Sequence, residues 1–93
     1  MFMQNETLKK AIGKNIREGR RRAKITQLEL AERVGISTQS LSSLENGLTF
    51  ARMETYIKIG DILTMPIHMI FYISSPSEGR FVEQLRFLTD HAN

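Results

Sequence analysis

Apolar side chains recur every three or four residues along most of the chain, which is the spacing of one face of an α-helix. In residues 7–23 this apolar stripe runs between lysines and arginines. Its members are Leu8, Ala11, Ile12, Ile16, Gly19 and Ala23. The pattern predicts an amphipathic first helix.

Two short segments with helix-capping residues follow. Thr26 is a good N-cap and Glu29, three positions later, completes a capping box, while Gly35 is typical of a helix end. Ser37 is a second N-cap, and Asn46-Gly47 closes the segment that it begins. The expected inward positions of the two helices are Leu30, Ala31, Val34, Leu41 and Leu44. The sequence therefore predicts two short helices joined by a tight turn.

The remaining segments also have a helical period. Residues 51–63 are expected to form a fourth helix, after which Pro66 forces a break before a short fifth helix over 67–72. The inward positions predicted for these helices are Met53, Tyr56, Ile59, Gly60, Leu63, Ile67, Ile70 and Phe71. Residues 74–77 resemble a linker, and 78–91 carry an apolar stripe of Phe81, Val82, Leu85 and Leu88. We expect an all-α fold of five helices with an additional C-terminal helix.

The charge is unevenly distributed, although the net charge is only +3. Residues 1–35 hold nine cationic and four anionic side chains, whereas residues 36–93 hold four cationic and six anionic ones. A charge of +5 in residues 1–35 and of −2 in residues 36–93 is typical of a module that turns one face to a polyanion. A solvated helix face is the alternative explanation of the run Arg20-Arg21-Arg22.

The composition argues against several other classes of protein. Without cysteine there is no disulfide framework and no thiolate metal site or nucleophile. The longest apolar run, residues 65–73, is far shorter than the roughly 20 residues of a membrane span, and the first residues do not resemble a signal peptide. The two histidines, His68 and His91, belong to no recognisable catalytic or metal-binding motif, and the glycines are scattered singly. We expect a cytoplasmic protein without membrane association, enzymatic activity, metal or cofactor.

The third predicted helix carries the clearest functional signal. Two short helices joined by a Gly-containing turn describe a helix-turn-helix, whose second helix enters the major groove of DNA. The outward side chains of that helix are Thr38, Gln39, Ser42 and Ser43. They can hydrogen-bond to base edges, and no charged residue occurs between Ser37 and Leu44. An ordinary solvent-facing helix is the alternative, but such a face usually carries lysine and glutamate.

Several segments at fixed spacing resemble one family of proteins. They are residues 12–17, 26–31 (Thr-Gln-x-x-Leu-Ala), 34–37, 41–47 (Leu-x-x-Leu-Glu-Asn-Gly) and 55–59. Together they resemble the Cro and lambda-repressor-like helix-turn-helix family over residues 8–71. The resemblance implies a five-helix domain that binds double-stranded DNA.

The resemblance also implies roles for individual residues. Gln27 and Asn46 match positions that bind backbone phosphates on either side of the third helix, and Arg20 and Glu45 match a pair that forms a salt bridge. The four outward residues Thr38, Gln39, Ser42 and Ser43 match positions that reach base edges. Further candidates for phosphate contacts are Thr26, Ser37, Lys24, Arg20 and Arg52.

The chain departs from the family pattern at three places. Gly19 replaces a larger apolar residue, so the first helix is expected to be weakened or unusually closely packed there. Ala51 replaces a frequent proline. The loop 48–50 lacks the cations often found in it, and Arg52 is the only cation nearby in the sequence. Lys14, Lys24 and the three arginines from Arg20 are then the candidates for phosphate affinity.

The expected organisation is a DNA-binding domain over 1–73, with its recognition helix at about 37–45, followed by a linker and helix over 74–93. One such domain contacts about half a site, so we expect a homodimer on a palindromic operator, acting as a repressor. The candidate dimer residues are Ile73, Phe81, Leu85 and Leu88. The alternative is an antitoxin or partner-regulated protein whose C-terminal segment binds another protein and which autoregulates through DNA binding.

Overall fold

The computed structural model describes residues 4–73, which form five α-helices. The helices are α1 (Asn5–Arg22), α2 (Gln27–Val34), α3 (Thr38–Glu45), α4 (Met53–Leu63) and α5 (Ile67–Ile70). The predicted all-α, five-helix fold is confirmed for this part of the chain. The predicted sixth helix and the candidate dimer residues Phe81, Leu85 and Leu88 lie outside the described residues.

The ends of α2 and α3 are set by local hydrogen bonds. The Thr26 hydroxyl accepts a bond from the Glu29 backbone N–H at 3.1 Å, and the Glu29 carboxylate accepts from the Thr26 N–H at 3.4 Å. Gly35 ends α2 in the left-handed conformation at φ 87°, and the Ser37 hydroxyl caps α3 at the Ser40 N–H. The predicted limits of both helices are confirmed because these signals act over a few residues.

The core lies where α1, α4 and α5 meet the α2–α3 pair. Its fully buried members include Ile16, Leu30, Leu41, Ile59 and Ile70. The inward positions predicted for α2 and α3 are all buried, as are Ile12 and Ile16 of α1. These residues hold α3 against the rest of the domain along one side only.

The buried stripe of α1 differs from its prediction at two places. Ala23 follows the last residue of the helix and is exposed, whereas Gly13 is buried. A Cβ atom at Gly13 would lie 2.6 Å from the Glu45 carbonyl oxygen and would also clash with that of Leu44. Glycine therefore allows the backbones of α1 and α3 to approach each other closely.

Two predicted inward residues of the later helices are exposed instead. The fourth helix begins at Met53 rather than Ala51, and the Met53 side chain is 57% exposed because it occupies the first turn. Helix α5 ends at Ile70 rather than at residue 72, and Ile67, at its first position, is 40% exposed. Ile70 is buried as predicted, and the half-buried Phe71 ring packs edge-on to Tyr56 at 5.0 Å.

Gly19 lies where α1 packs against the segment before α5. A Cβ at this position would lie 2.6 Å from the Met65 sulfur. Of the two expectations for Gly19, the unusually close packing of α1 is therefore the one observed. The Asn15 side chain donates hydrogen bonds to the carbonyls of Ile70 and Tyr72 at 2.8 and 2.7 Å, which fastens the end of the described chain to α1. Within residues 4–73 no helix is long and apolar enough to cross a bilayer.

Candidate nucleic-acid interface

Helices α2 and α3 form a helix-turn-helix, and the outer surface of α3 is polar and uncharged. Leu41, Leu44 and Glu45 occupy the buried side of α3. On the opposite side Gln39 is exposed, and Ser42 and Ser43 are half-buried. Thr38 is exposed in the first turn of α3, at about 100° per residue on the flank of this outer face. We call these four predicted base-reading residues together the reading face.

Glu45 fixes the end of α3 against α1 and α2. Its side chain is completely buried, and its carboxylate accepts two hydrogen bonds from the Arg20 guanidinium, Nε at 2.8 Å and Nη2 at 3.0 Å. Gln27 Nε2 donates a third at 3.0 Å, and Arg17 Nε lies 3.5 Å away. The pair that the family resemblance implies is thus part of a larger network.

The network determines the ionisation of Glu45. Burial alone would raise the pKa of this carboxyl, but the hydrogen bonds from Arg20 and Gln27 and the charges of Arg20 and Arg17 outweigh it, so the pKa is lowered. The same hydrogen bonding raises the pKa of Arg20 against the opposing effect of its burial. Both groups are charged at neutral pH, and each offsets the desolvation of the other.

Arg20 is largely committed to contacts within the domain. Its remaining terminal nitrogen, Nη1, donates to the Ile25 carbonyl at 3.1 Å, and its side chain is only 12% exposed. Three of its five guanidinium N–H groups are therefore used within residues 4–73, and its contact with a phosphate stays a prediction. The run of three arginines separates in the structure: Arg21 is exposed, and Arg22 lines a cleft on the α5 side of α1 with Met65 and Met69.

The two predicted phosphate-binding amides are both attached to the Glu45 network. Gln27 uses one N–H of its amide on Glu45, and the second has no partner among residues 4–73. Asn46 Oδ1 accepts a bond from Arg17 Nη2, and the amide nitrogen of this exposed residue donates to the Ser42 hydroxyl at 3.4 Å. Each side chain presents a donor at one end of the α2–α3 unit, as a contact to a backbone phosphate requires.

The hydroxyls of Thr26 and Ser37 are occupied by capping. The Thr26 hydroxyl also donates to Glu29 at 3.2 Å, and that of Ser37 donates to the Ser40 hydroxyl at 2.8 Å. A phosphate at either position would therefore meet the free backbone N–H groups of the first helical turn, which favour an anion, rather than these hydroxyls.

Several basic side chains surround this unit. Lys24 is exposed in the turn before α2, in the left-handed conformation at φ 59°. Arg52 is 88% exposed at the start of α4 and lies 3.8 Å from Glu54. Arg52 is not the only cation near the 48–50 loop, because Lys9 Nζ lies 5.2 Å from the centre of the Phe50 ring. Lys9 belongs to α1 and is distant from the 48–50 loop in the sequence, so its proximity to the loop is visible only in the structure.

Sequence reasoning assigned no role to three residues of α1, of which two contact the interface and one holds the chain after α5. Arg17 binds both Glu45 and Asn46. Lys10 packs on Gly47, whose φ is 73° and whose missing Cβ would lie 2.8 Å from the Lys10 Cα. Asn15 anchors the chain after α5. The signal available for Arg17 was its place one helical turn before Arg20, on the same side of α1.

The fold and this geometry define a helix-turn-helix DNA-binding domain. A family model described as helix-turn-helix matches residues 16–68, and the chain belongs to this family, as its Cro and lambda-repressor-like motifs predict. The family membership makes the protein a DNA-binding transcriptional regulator. No curated protein matches the chain.

Two solved structures have a similar fold. The clp gene regulator ClgR from Corynebacterium glutamicum is 26% identical, with a TM-score of 0.69 over 92% of this chain and 96% of that one. The hypothetical transcription factor NHTF from Neisseria is 18% identical, with a TM-score of 0.68 over 88% of this chain and 92% of that one. The second similarity shows the fold alone.

Proposed function

We propose that the protein regulates transcription by binding a specific palindromic operator as a homodimer, and that it acts as a repressor in the cytoplasm. One observation supports sequence-specific binding above all others. The reading face is uncharged, carries four hydrogen-bonding side chains and is held by a buried ion pair at the end of its helix. Such a surface suits base edges better than it suits solvent or phosphates.

Each part of the interface has a separate task in this proposal. Helix α3 lies in the major groove, where Gln39 addresses the N6 and N7 atoms of an adenine and the hydroxyls of Thr38, Ser42 and Ser43 bind neighbouring bases. Gln27 and Asn46 bind phosphates at the two sides and fix the depth and register of the helix. Lys24 and Arg52 add charge that attracts the duplex without selecting a sequence.

The homodimer follows from the size of the interface, since one α3 reads about half of a specific site. Ile73 is half-buried at the end of the described residues, directly after the carbonyl of Tyr72 that Asn15 holds. We propose that the chain from Ile73 onward pairs two copies, with half-sites about 10 base pairs apart. Light scattering of the full chain tests this: a dimer mass supports it, and a monomer that still binds a palindrome tightly contradicts it.

Replacing Gln39 by alanine tests sequence reading at the reading face. On a duplex selected from random DNA by the wild-type protein, we expect Gln39→Ala to weaken binding by about 1–3 kcal/mol, roughly 5- to 150-fold. On duplexes of unrelated sequence the loss should stay below about twofold. Fluorescence anisotropy titrations at one fixed salt concentration measure both affinities.

Lys58→Ala is a matched control, because Lys58 is exposed on α4 and belongs to no contact proposed for DNA. It should leave the affinity ratio between the selected and unrelated duplexes unchanged. An equal loss on both kinds of duplex for Gln39→Ala would show that Gln39 meets phosphate and would contradict the proposed reading face.

A further inference from the structure

A cleft of about 530 Å³ adjoins the reading face. It lies between α3, the following loop and the first turn of α4, and we call it the loop cleft. Gln39, Ser40 and Ser43 line it from α3, and Phe50, Arg52 and Thr55 line it from the loop and from α4. The cleft is therefore continuous with the surface that we assign to base reading.

The Phe50 ring is exposed but held in place. Its residue is 43% exposed, and the Lys9 ammonium lies over the ring at 5.2 Å from its centre, within the range of a cation–π contact. The adjacent backbone is also fixed, because the Ala51 N–H donates to the Tyr56 hydroxyl at 2.9 Å. The loop thus presents an aromatic ring that lines the same cleft as Gln39 and Ser43.

The ring has no hydrogen-bond donor and offers nothing to a phosphate, whereas Arg52, which lines the same cleft, and Lys9, which lies over the ring, are cationic. On the major-groove edge of DNA the C5 methyl group of thymine is the apolar feature, and phenylalanine is one of the side chains that recognise it by contact. Since Phe50 lines the same cleft as Gln39 and Ser43, a methyl group of the bound half-site is the apolar feature of DNA that this exposed ring can contact.

We propose that Phe50 recognises a thymine methyl group in the loop cleft and so determines one base of each half-site. This inference rests on the proposed function and adds to it a contact from outside α3. Gln39 and Ser43 select by hydrogen bonds, whereas Phe50 selects by excluding water from one methyl group.

Replacing single thymines by deoxyuridine tests the proposal, because this change removes only the methyl group. The probe is the duplex selected by the wild-type protein, with each thymine of one half-site replaced in turn. We expect one position at which uracil weakens wild-type binding about fourfold, the equivalent of the ~0.8 kcal/mol gained by burying one methyl group. With Phe50→Ala the same replacement should change the affinity less than 1.5-fold.

Two further variants separate this contact from a change in the fold. Leu48→Ala removes a 66% exposed side chain of the same loop that does not line the cleft, and it should keep the fourfold preference for thymine. Phe50→Leu keeps an apolar side chain and should retain part of that preference. Thermal unfolding of each variant shows that the domains compared are folded.

Two results would overturn the inference while leaving the Gln39 result intact. The first is a duplex in which no thymine is sensitive to uracil. The second is a Phe50→Ala variant that keeps the wild-type preference for thymine; if it also binds the thymine and uracil duplexes more weakly by the same factor, Phe50 contacts the sugar-phosphate backbone. A failure of the selection to produce any motif would instead count against the proposed function itself.

Discussion

Truncation of Glu45 to alanine is the strongest test of how the recognition helix is held. The change removes a fully buried carboxylate and leaves Arg20, which is only 12% exposed, without its charged partner. Gln27 also loses a hydrogen-bond acceptor, and Arg17 loses a neighbouring negative charge. An uncompensated buried charge is much more costly than the loss of a surface ion pair.

The size of the effect follows from this burial. Removal of one partner of a buried ion pair lowers the free energy of unfolding by about 3–5 kcal/mol. The free energy of unfolding of a domain of about 70 residues is only about 4–10 kcal/mol. In a small domain each kcal/mol lost from it lowers the thermal unfolding midpoint by about 4–8 °C. We therefore expect Glu45→Ala to unfold at least about 12 °C below the wild type and to bind DNA more weakly even where it is folded.

Circular dichroism at 222 nm, with urea and thermal unfolding, measures the change in stability. Glu18→Ala is the matched control, because Glu18 is half exposed and lies 4.0 Å from Lys14 in an i,i+4 pair. This control should change the free energy of unfolding by less than about 0.5 kcal/mol. A Glu45→Ala variant as stable as Glu18→Ala would refute the view that the ion pair holds α3 in place.

Other predictions concern the same packing and the same carboxylate. Because its folded-state pKa is lowered, Glu45 stabilises the domain fully above its unfolded pKa near 4.3, and this contribution is lost as the pH falls through the folded value. The stability difference between wild type and Glu45→Gln in urea should thus be constant above about pH 5.5 and shrink in more acidic buffers; a difference that grows on acidification contradicts the sign of the shift. Gly13→Ala should destabilise by about 2 kcal/mol or more in the same assay, since the new methyl group meets backbone carbonyls. Gly19→Ala should stay within about 1 kcal/mol of the wild type, because the Met65 side chain can move and alanine favours the helix; similar losses for both glycines would contradict this distinction. Asn15→Ala removes two side-chain bonds to carbonyls and should cost about 1–2 kcal/mol, whereas an unchanged urea midpoint would show that these bonds add no stability.

The parts of the fold that sequence predicts best are those decided by near neighbours. Thr26, Gly35 and Ser37 define the limits of α2 and α3 through contacts over three or four residues. The identities of these residues were therefore sufficient to predict where the two helices begin and end. The motif around Glu45 also led to the correct partner, Arg20, although the two residues are 25 positions apart. That inference came from resemblance to a family and not from the local pattern.

Contacts between helices were harder to predict. Periodicity places Met53 and Ile67 on an apolar face, but each lies in the first turn of its helix, where no neighbouring element covers it. Gly13 has no side chain to mark it as buried, although a close approach of two backbones depends on it. The cations of α1 look alike in sequence, and only packing separates Arg17, which binds Glu45 and Asn46, from those left in solvent.

Selection of bound duplexes from random DNA, performed in parallel with the wild type and Gln39→Ala, measures whether the reading face selects a sequence. We expect the wild type to enrich a palindromic motif with half-sites about 10 base pairs apart. The variant should lose discrimination at one base pair of each half-site and keep the rest of the motif. Enrichment of no motif by the wild type, or of an identical motif with identical discrimination by both proteins, would contradict the claim that the outer face of α3 reads the sequence of DNA.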